Sequence, residues 1–446
     1  QMPKGKSTEL FGKSLAMALK RRKVQCMAKA NLLLDLDQRG MVQDTTDRGL
    51  LEGLLSTESI TLYHGIDPSA PSLHIGNFIG VLMLRRFQEA GHKPIVLVGG
   101  STGMIGDPGG RSEERNLLDE ATLAANLAGI RKQLEALVDL ERAELVNNYE
   151  WTKSVNVLDF LRDVGKHATV NQMVAKDSVR TRMEGKHGIS YTEFSYMLLQ
   201  AFDFWWLHNE YNCQLQIGGS DQWGNIAQGV DLIRRRNGNA AHGLTWPLIT
   251  RSDGQKYGKS VDGAIWLDPE MTLPYEFHQY WLSIDDRDVQ RFLMQLTLLG
   301  LEEVEEVVIE HQKSPEKRYG QLRIADEVTA LVHGTEAVVQ AKLAASALFG
   351  SGELNEEMLA ALEGVIPKTT VKRSIFTSDE VLIDLLVDSG LTASKSEARR
   401  LLKQGGVSVN REKKSSGDLD LSALIDGRFL LLQKGKKQRN LVIVDD

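Results

Sequence analysis

The stretch "ITLYHGIDPSAPSLHIGNFIGVLMLRRFQEAGHKPIVLVGG", residues 60 to 100, decides the fold. "ITLYHGI" (60 to 66) alternates and is rich in strand formers, and "PIVLVGG" (94 to 100) is a short apolar run closed by glycines. Both read as buried strands. Between them, "HIGNFIGVLMLRRFQEAGH" (74 to 92) carries apolar residues at helical spacing, with Ser72 placed to cap its start and Gly91 to stop it. Strand, helix and strand in that order make a β-α-β unit, the beginning of a doubly wound parallel sheet.

A helix that starts near His74 turns unpaired N–H groups and the positive end of its dipole toward the C-terminal edge of the sheet, where an anion can sit. Gly76 removes a side chain that would obstruct close approach of a nucleotide. Far downstream, "DGQKYGKS" (253 to 260) sets Lys256 and Lys259 around Gly258, and two ammonium groups there can neutralise a departing pyrophosphate. Either motif alone is weak. Their occurrence in one chain, in this order and on opposite sides of a Rossmann-like sheet, gives them weight.

The 446 residues are 42% hydrophobic and 25% charged, an ordinary globular composition with length for two or three domains. Cys26 and Cys213 lie far apart with no Cys-x-x-Cys, which speaks against a disulfide framework or a zinc site and for a reducing setting. No apolar run approaches the roughly 18 residues of a membrane span, so no membrane association is expected. Residues 1 to 30 hold eight lysines and arginines against Glu9 alone, and read as a basic extension, with an organellar targeting stretch as the alternative. From 285 to 350 the pattern is of amphipathic helices, "VIPKTTVKRSIFTS" (365 to 378) reads as a linker, and residues 381 to 410 give two short helices and a strand. A net charge of −7 argues against indiscriminate nucleic-acid binding, yet the C-terminus gathers Lys395, Arg399, Arg400, Lys403, Arg411, Lys413 and Lys414 against Glu397 and Glu412, and then Arg428, Lys434, Lys436, Lys437 and Arg439. Such a cluster is either a solvated face or an RNA contact. The expected organisation is α/β. A Rossmann-like catalytic domain (31 to 260) is followed by a helical domain (261 to 364), the linker, and a small α+β RNA-binding domain (379 to 446).

The runs "LYHGIDPSAPSLHIGN", "GHKPIVLVGGSTGMIGDPGGRSEER", "NNYEW", "FLRDVGKH", "YTEFSYMLLQAFDF" and "LQIGGSDQWGNI" together resemble the class I aminoacyl-tRNA synthetases, and among them the tyrosyl-tRNA synthetases of bacteria and organelles. The likeness runs from about Asn31 to Val444, and its C-terminal part is similar to a small RNA-binding fold shared with a small-subunit ribosomal protein. It implies formation of a tyrosyl-adenylate from L-tyrosine and ATP with Mg²⁺, then transfer to tRNA(Tyr), by a homodimer with no resident metal or tightly bound cofactor. The compartment implied is the cytoplasm, or else a mitochondrion or plastid.

Carried onto this chain, the resemblance assigns the substrate's phenol to Tyr63 and Asp203 and its ammonium to Asp107, Tyr196 and Gln200. Its carboxylate falls to Gln222. Gly65, Asp67, Gly76, Gly219, Asp221 and Ser260 match ATP-binding positions, and His74, Asn77, Lys256 and Lys259 match the catalytic set. Arg111 and Arg115 match a basic pair on the loop after "GDPGG", while Arg399, Arg400, Lys436 and Lys437 are the expected tRNA contacts. Three positions depart from the pattern: Asn77 stands for a second histidine, His64 for a small cysteine, and Gly80 for a hydroxyl side chain. A rival reading is a synthetase-like RNA-binding or splicing protein without catalysis.

Overall fold

The computed structural model describes residues 32–107, 119–185, 188–250, 252, 259–260 and 263–445. Five strands form the first sheet: β1 (Thr61–Ile66), β2 (Lys93–Val98), β3 (Glu144–Asn147), β4 (Cys213–Gly219) and β5 (His242–Trp246). Their order is β3-β2-β1-β4-β5, and every pairing is parallel. Strands buried on both faces read as near-continuous apolar runs, which is why "PIVLV" was legible. The order reverses between β1 and β4. A crevice at the carboxyl ends of such strands is where an open α/β sheet binds ligands.

The helix expected after β1 is α1 (Ile75–Glu89). Gly91 does stop it, with φ at +93°. Ser72 is not its cap. His74 is the N-cap residue, and Ser72 instead accepts from the Asp268 N–H at 3.1 Å and donates to the Leu73 carbonyl at 2.7 Å. The helix simply begins too late for the Ser72 hydroxyl to reach its first N–H groups.

The described chain divides into two compact units. One holds the residues up to Met271 together with Leu282–Val332; the other holds Thr272–Trp281 and His333 onward. The expected helical stretch is therefore shared between them. In the first unit, two buried guanidiniums tie helix α2 (Asp286–Leu296) down by its C-terminal carbonyls. Arg39 donates to Leu299 O at 2.9 Å and Met294 O at 3.2 Å, and Arg86 donates to Met294 O at 3.2 Å and to Thr297 O. Cations suit that negative end of the dipole.

The second unit is built on another five-stranded sheet. Its strands are β6 (Lys368–Lys372), β7 (Val407–Val409), β8 (Glu412–Lys414), β9 (Phe429–Lys434) and β10 (Gln438–Asp445), ordered β8-β7-β9-β10-β6. Alternate residues of β9 and β10 serve opposite faces. Leu430, Leu432 and Val442 join a core with Leu382, Leu385 and Leu402, while Phe429, Leu431 and Leu441 join one with Ala344, Leu359 and Leu362. The segment expected as a linker contains β6, paired parallel with β10. "KTTVK" is an edge strand held by backbone pairing, and exposed edges favour lysine over an apolar pattern. Among the described residues no helix is long and apolar enough to cross a membrane.

Candidate active site

A cleft of about 480 Å³ opens at the reversal of strand order. The expected residues Tyr63, Gly65, Asp67, His74, Gly76, Asn77, Asp107, Tyr196, Gln200, Asp203, Gly219, Asp221 and Gln222 all line it. Helix α3 (Tyr191–Tyr211) explains part of this convergence, since Tyr196, Gln200 and Asp203 recur at one helical face. Tyr63 on β1 is opposite Gln216 on β4, so the two side chains rise from neighbouring strands.

At the closed end, Asp203 is 2% exposed and accepts from Asn148 Nδ2 at 2.9 Å and Trp151 Nε1 at 2.9 Å. Burial lifts its carboxyl to about 7 against the downward pull of those two donors, with the Asp67 charge adding to the rise. Among the described residues, the buried Tyr63 hydroxyl and Gln216 Oε1 have no hydrogen-bond partner. Unpaired polar atoms facing a cleft are places for a polar ligand.

A network runs outward from there. Asn148 also donates to Thr102 Oγ1 at 3.1 Å, Thr102 donates to Asp67 Oδ1 at 2.7 Å, and Tyr196 donates to Asp67 Oδ2 at 2.9 Å. With its O–H donated in a hydrogen bond to Asp67, the Tyr196 oxygen keeps its lone pairs for an N–H donor. Gln222 Nε2 donates to Asp107 Oδ2 at 2.8 Å. Burial raises the Asp221 carboxyl, and the Asp107 charge raises it further.

Where helix α1 starts, His74 N–H donates to Asn77 Oδ1 at 3.2 Å. A backbone N–H can only donate, so the Asn77 oxygen is fixed inward and its NH₂ is left to point elsewhere. Gly76 lines the cleft and has a further constraint: a Cβ there would sit 2.7 Å from the His74 ring. The chain after the Lys-Tyr-Gly-Lys-Ser motif returns to this place, with Ile75 N–H donating to Ile265 O at 3.0 Å and Leu267 N–H to Leu73 O at 2.8 Å. Leu248, Ile249 and Thr250, which precede the motif, line the cleft. Both ends of residues 251–262 thus stand at the site. Lys256, Arg111 and Arg115 lie outside the described residues, and Lys259 and Ser260 are described only as a short strand.

Residues 55–350 match the family of class I tRNA synthetases (W and Y), and residues 358–442 match the tyrosine–tRNA ligase SYY-like C-terminal domain. The chain is 48% identical over 429 residues to a tyrosine–tRNA ligase of Bacteroides thetaiotaomicron, covering 93% of this chain and 99% of that one. It belongs to the tyrosine–tRNA ligase family. A tyrosine–tRNA ligase of Bacillus caldotenax is likewise 48% identical, over 92% of this chain and 99% of its own. Among solved structures, a C-terminally truncated mitochondrial tyrosyl-tRNA synthetase of Aspergillus nidulans superposes with a TM-score of 0.66 at 30% identity, covering 74% of this chain and 100% of that one. The resemblance stated from sequence is therefore upheld, as is the class I fold.

Two of the expected departures, His64 and Gly80, share one space. A Cβ on Gly80 would lie 2.2 Å from His64 Nε2, so the imidazole fills the space a side chain at 80 would need. The ring is held by its Nδ1 contact to Ile217 O at 3.2 Å and by the edge of Trp246, with centroids 5.3 Å apart. Burial lowers its pKa to about 4, so it is neutral. Gly80→Thr is expected to lower unfolding free energy by about 1–3 kcal/mol through overpacking, whereas His64→Cys with Gly80→Thr recovers most of it. Urea denaturation of the three variants measures the coupling. Additive losses would show the residues to be independent.

Sequence reasoning assigned no role to Gln216, Asn148, Trp151, Thr102, Asn225 or Lys176. "NNYEW" and "SDQWGNI" marked three of the six, Asn148, Trp151 and Asn225, as parts of a motif, but not what they touch. In the C-terminal unit, Arg400, Lys436 and Lys437 are exposed, while Arg399, 47% exposed, pairs with Glu380. Arg411 donates to the carbonyls of Ser346 and Ala347 and serves the fold.

Proposed function

We infer that this chain attaches L-tyrosine to tRNA with ATP, through a tyrosyl-adenylate. The observation that carries the reading is the closed end of the cleft, where a buried carboxylate with two donors stands beside a buried, partnerless phenol. Asp203 accepts a hydrogen bond from the substrate's hydroxyl and Tyr63 donates one to its oxygen. The ammonium meets the Asp107 carboxylate, the Tyr196 lone pairs and Gln200, and Gln222 orients the carboxylate. That carboxylate attacks the α-phosphate of ATP, and pyrophosphate leaves. No protein nucleophile is needed. Catalysis is positioning and charge stabilisation: Gly65, Asp67, Gly219, Asp221 and Ser260 hold the nucleotide, the helix start at His74 faces its phosphates, and Lys256 and Lys259 arrive on a loop whose two ends stand at the cleft. Magnesium is proposed to come with the nucleotide, since it binds chiefly through phosphate oxygens and neutralises their charge.

The C-terminal unit is proposed to hold tRNA through Arg400, Lys436 and Lys437, with Arg399 available once released from Glu380. Arg111 and Arg115 are proposed contacts for phosphate or tRNA. A homodimer is supported by the helix Val157–Asp163, which leaves Val157 and Leu158 70% and 75% exposed. The cytoplasm is the proposed compartment, in keeping with the bacterial relatives.

The test is ATP–pyrophosphate exchange with each proteinogenic amino acid. Tyrosine alone is expected to support it, and equal exchange with phenylalanine or tryptophan would overturn the reading. Asn77 answers the question of the missing histidine: its anchored oxygen leaves a donor for the ribose, at nearly the reach of an imidazole N–H. Single-turnover adenylate formation is therefore expected to stay within about tenfold in Asn77→His, and to fall in Asn77→Ala by the equivalent of roughly 0.5–1.5 kcal/mol. A parental rate in Asn77→Ala would remove the residue from the reaction.

A further inference from the structure

Asn225 is fully buried behind the cleft and makes four polar contacts. Lys176 Nζ donates to its Oδ1 at 2.6 Å. On the other side, its Nδ2 faces Gln200 Oε1 at 2.9 Å, Gln222 Oε1 at 3.1 Å and Asp107 Oδ2 at 3.4 Å.

An ammonium only donates, so the Asn225 amide has one permitted orientation, oxygen toward Lys176 and NH₂ toward the cleft residues. That NH₂ only donates in turn, so Gln200 and Gln222 must both offer it their oxygens. Their own NH₂ groups are thereby turned the other way, and that of Gln222 reaches Asp107 at 2.8 Å. Lys176 itself has little freedom. A Cβ on Gly224 would meet its Cγ, Cδ and Cε at 3.2, 3.3 and 3.4 Å, so the stem lies packed against that backbone. Burial lowers its pKa, and the two cleft carboxylates, Asp107 and Asp221, oppose that effect.

We propose that Asn225, anchored by Lys176, is a positioning residue that sets the amide orientation of Gln200 and Gln222 before the amino acid binds. This rests on the reading of the cleft as a tyrosine site. The network is one-directional: every donor and acceptor in it follows from the one group that cannot accept.

Asn225→Asp is the informative change, because it keeps the volume and the acceptor for Lys176 but presents an acceptor to two glutamine oxygens. Both glutamines must then turn over. In ATP–pyrophosphate exchange the KM for tyrosine is expected to rise about tenfold or more, with the KM for ATP held within about twofold. In a background carrying Gln200→Ala and Gln222→Ala the same change should add less than about twofold, since nothing remains to be oriented. An equal factor in both backgrounds, or an unchanged KM for tyrosine in the first, overturns the proposal. Should Asn225→Asp fail to fold by circular dichroism, Lys176→Met reads the same relay. It is expected to raise the KM for tyrosine about fivefold, and Lys176→Gln, whose amide still donates, to come back within about twofold of the parent. Equal values for those two variants also overturn it. A parent without tyrosine-dependent exchange would instead sink the tyrosine reading itself.

Discussion

Asp203→Asn is expected to strip tyrosine of most of its advantage over phenylalanine. In the parent, the carboxylate spends two acceptor sites on Asn148 and Trp151 and keeps further lone pairs for a substrate hydroxyl. Phenylalanine would leave that buried acceptor and the Tyr63 hydroxyl unpaired, at a cost of about 1–3 kcal/mol for each group. Asparagine turns an NH₂ toward one of two fixed donors and can no longer serve all three. The ratio of kcat/KM for the two amino acids in the exchange reaction should fall by about 5- to 150-fold. An unchanged ratio would place the phenol elsewhere. The same residue sets a pH dependence. Its folded pKa, about 7, lies above the ordinary carboxylate range, so its contribution to stability is present at acid pH and is lost as pH rises from roughly 4 to about 7. The parent should therefore lose stability relative to Asp203→Asn across that window. Discrimination moves the opposite way. As pH falls through about 7 the free carboxyl takes up a proton, and the preference for tyrosine should weaken in the parent while staying flat in the variant. Urea midpoints from about pH 4 to 8 decide the first, and kcat/KM ratios from about pH 6 to 8 the second.

The β-α-β start was legible because a parallel strand and its crossover helix each carry an unmistakable period, and the groups that face a ligand sit on motifs. What escaped the sequence has a common cause. β6 is an exposed edge strand whose residues show no apolar alternation, and only its pairing with β10 makes it part of the sheet. The helix cap shifted from Ser72 to His74 because partners distant in sequence, Asp268 and Gln133, claim Ser72. Asn148, Trp151, Lys176 and Asn225 act on Asp203, Gln200 and Gln222 from other elements, and no spacing rule tells which buried amide meets which carboxylate. His64 and Gly80 looked like two separate departures, and only the 2.2 Å approach makes them one. The basic C-terminus was read by count. Arg411 caps a helix and Arg399 pairs with Glu380, so charge number overstated the free positive surface.

The second large effect lies behind the site. Helix α3 brings Tyr196, Gln200 and Asp203 into the cleft, and its first turn holds Glu193, 4% exposed. Arg182 meets both Glu193 oxygens, Nη1 to Oε1 at 2.8 Å and Nη2 to Oε2 at 2.8 Å, and also donates from Nε to Gly188 O at 3.3 Å. Two parallel bonds in this geometry fix direction as well as distance. Removing the cation leaves a buried carboxylate with no counter-charge, so Arg182→Leu is expected to destabilise the chain by about 3–5 kcal/mol. Glu193→Leu added to it should recover much of that loss, because two apolar side chains of adequate volume can replace a buried ion pair at little net cost. The site need not recover with the fold. If the pair also sets where α3 begins, the doubly substituted chain should regain its urea midpoint yet bind tyrosine more weakly, since Tyr196, Gln200 and Asp203 all ride on that helix. If it regains both, the ion pair serves stability alone, and packing such as that of Phe204 against Tyr63 of β1 is sufficient to place the three side chains.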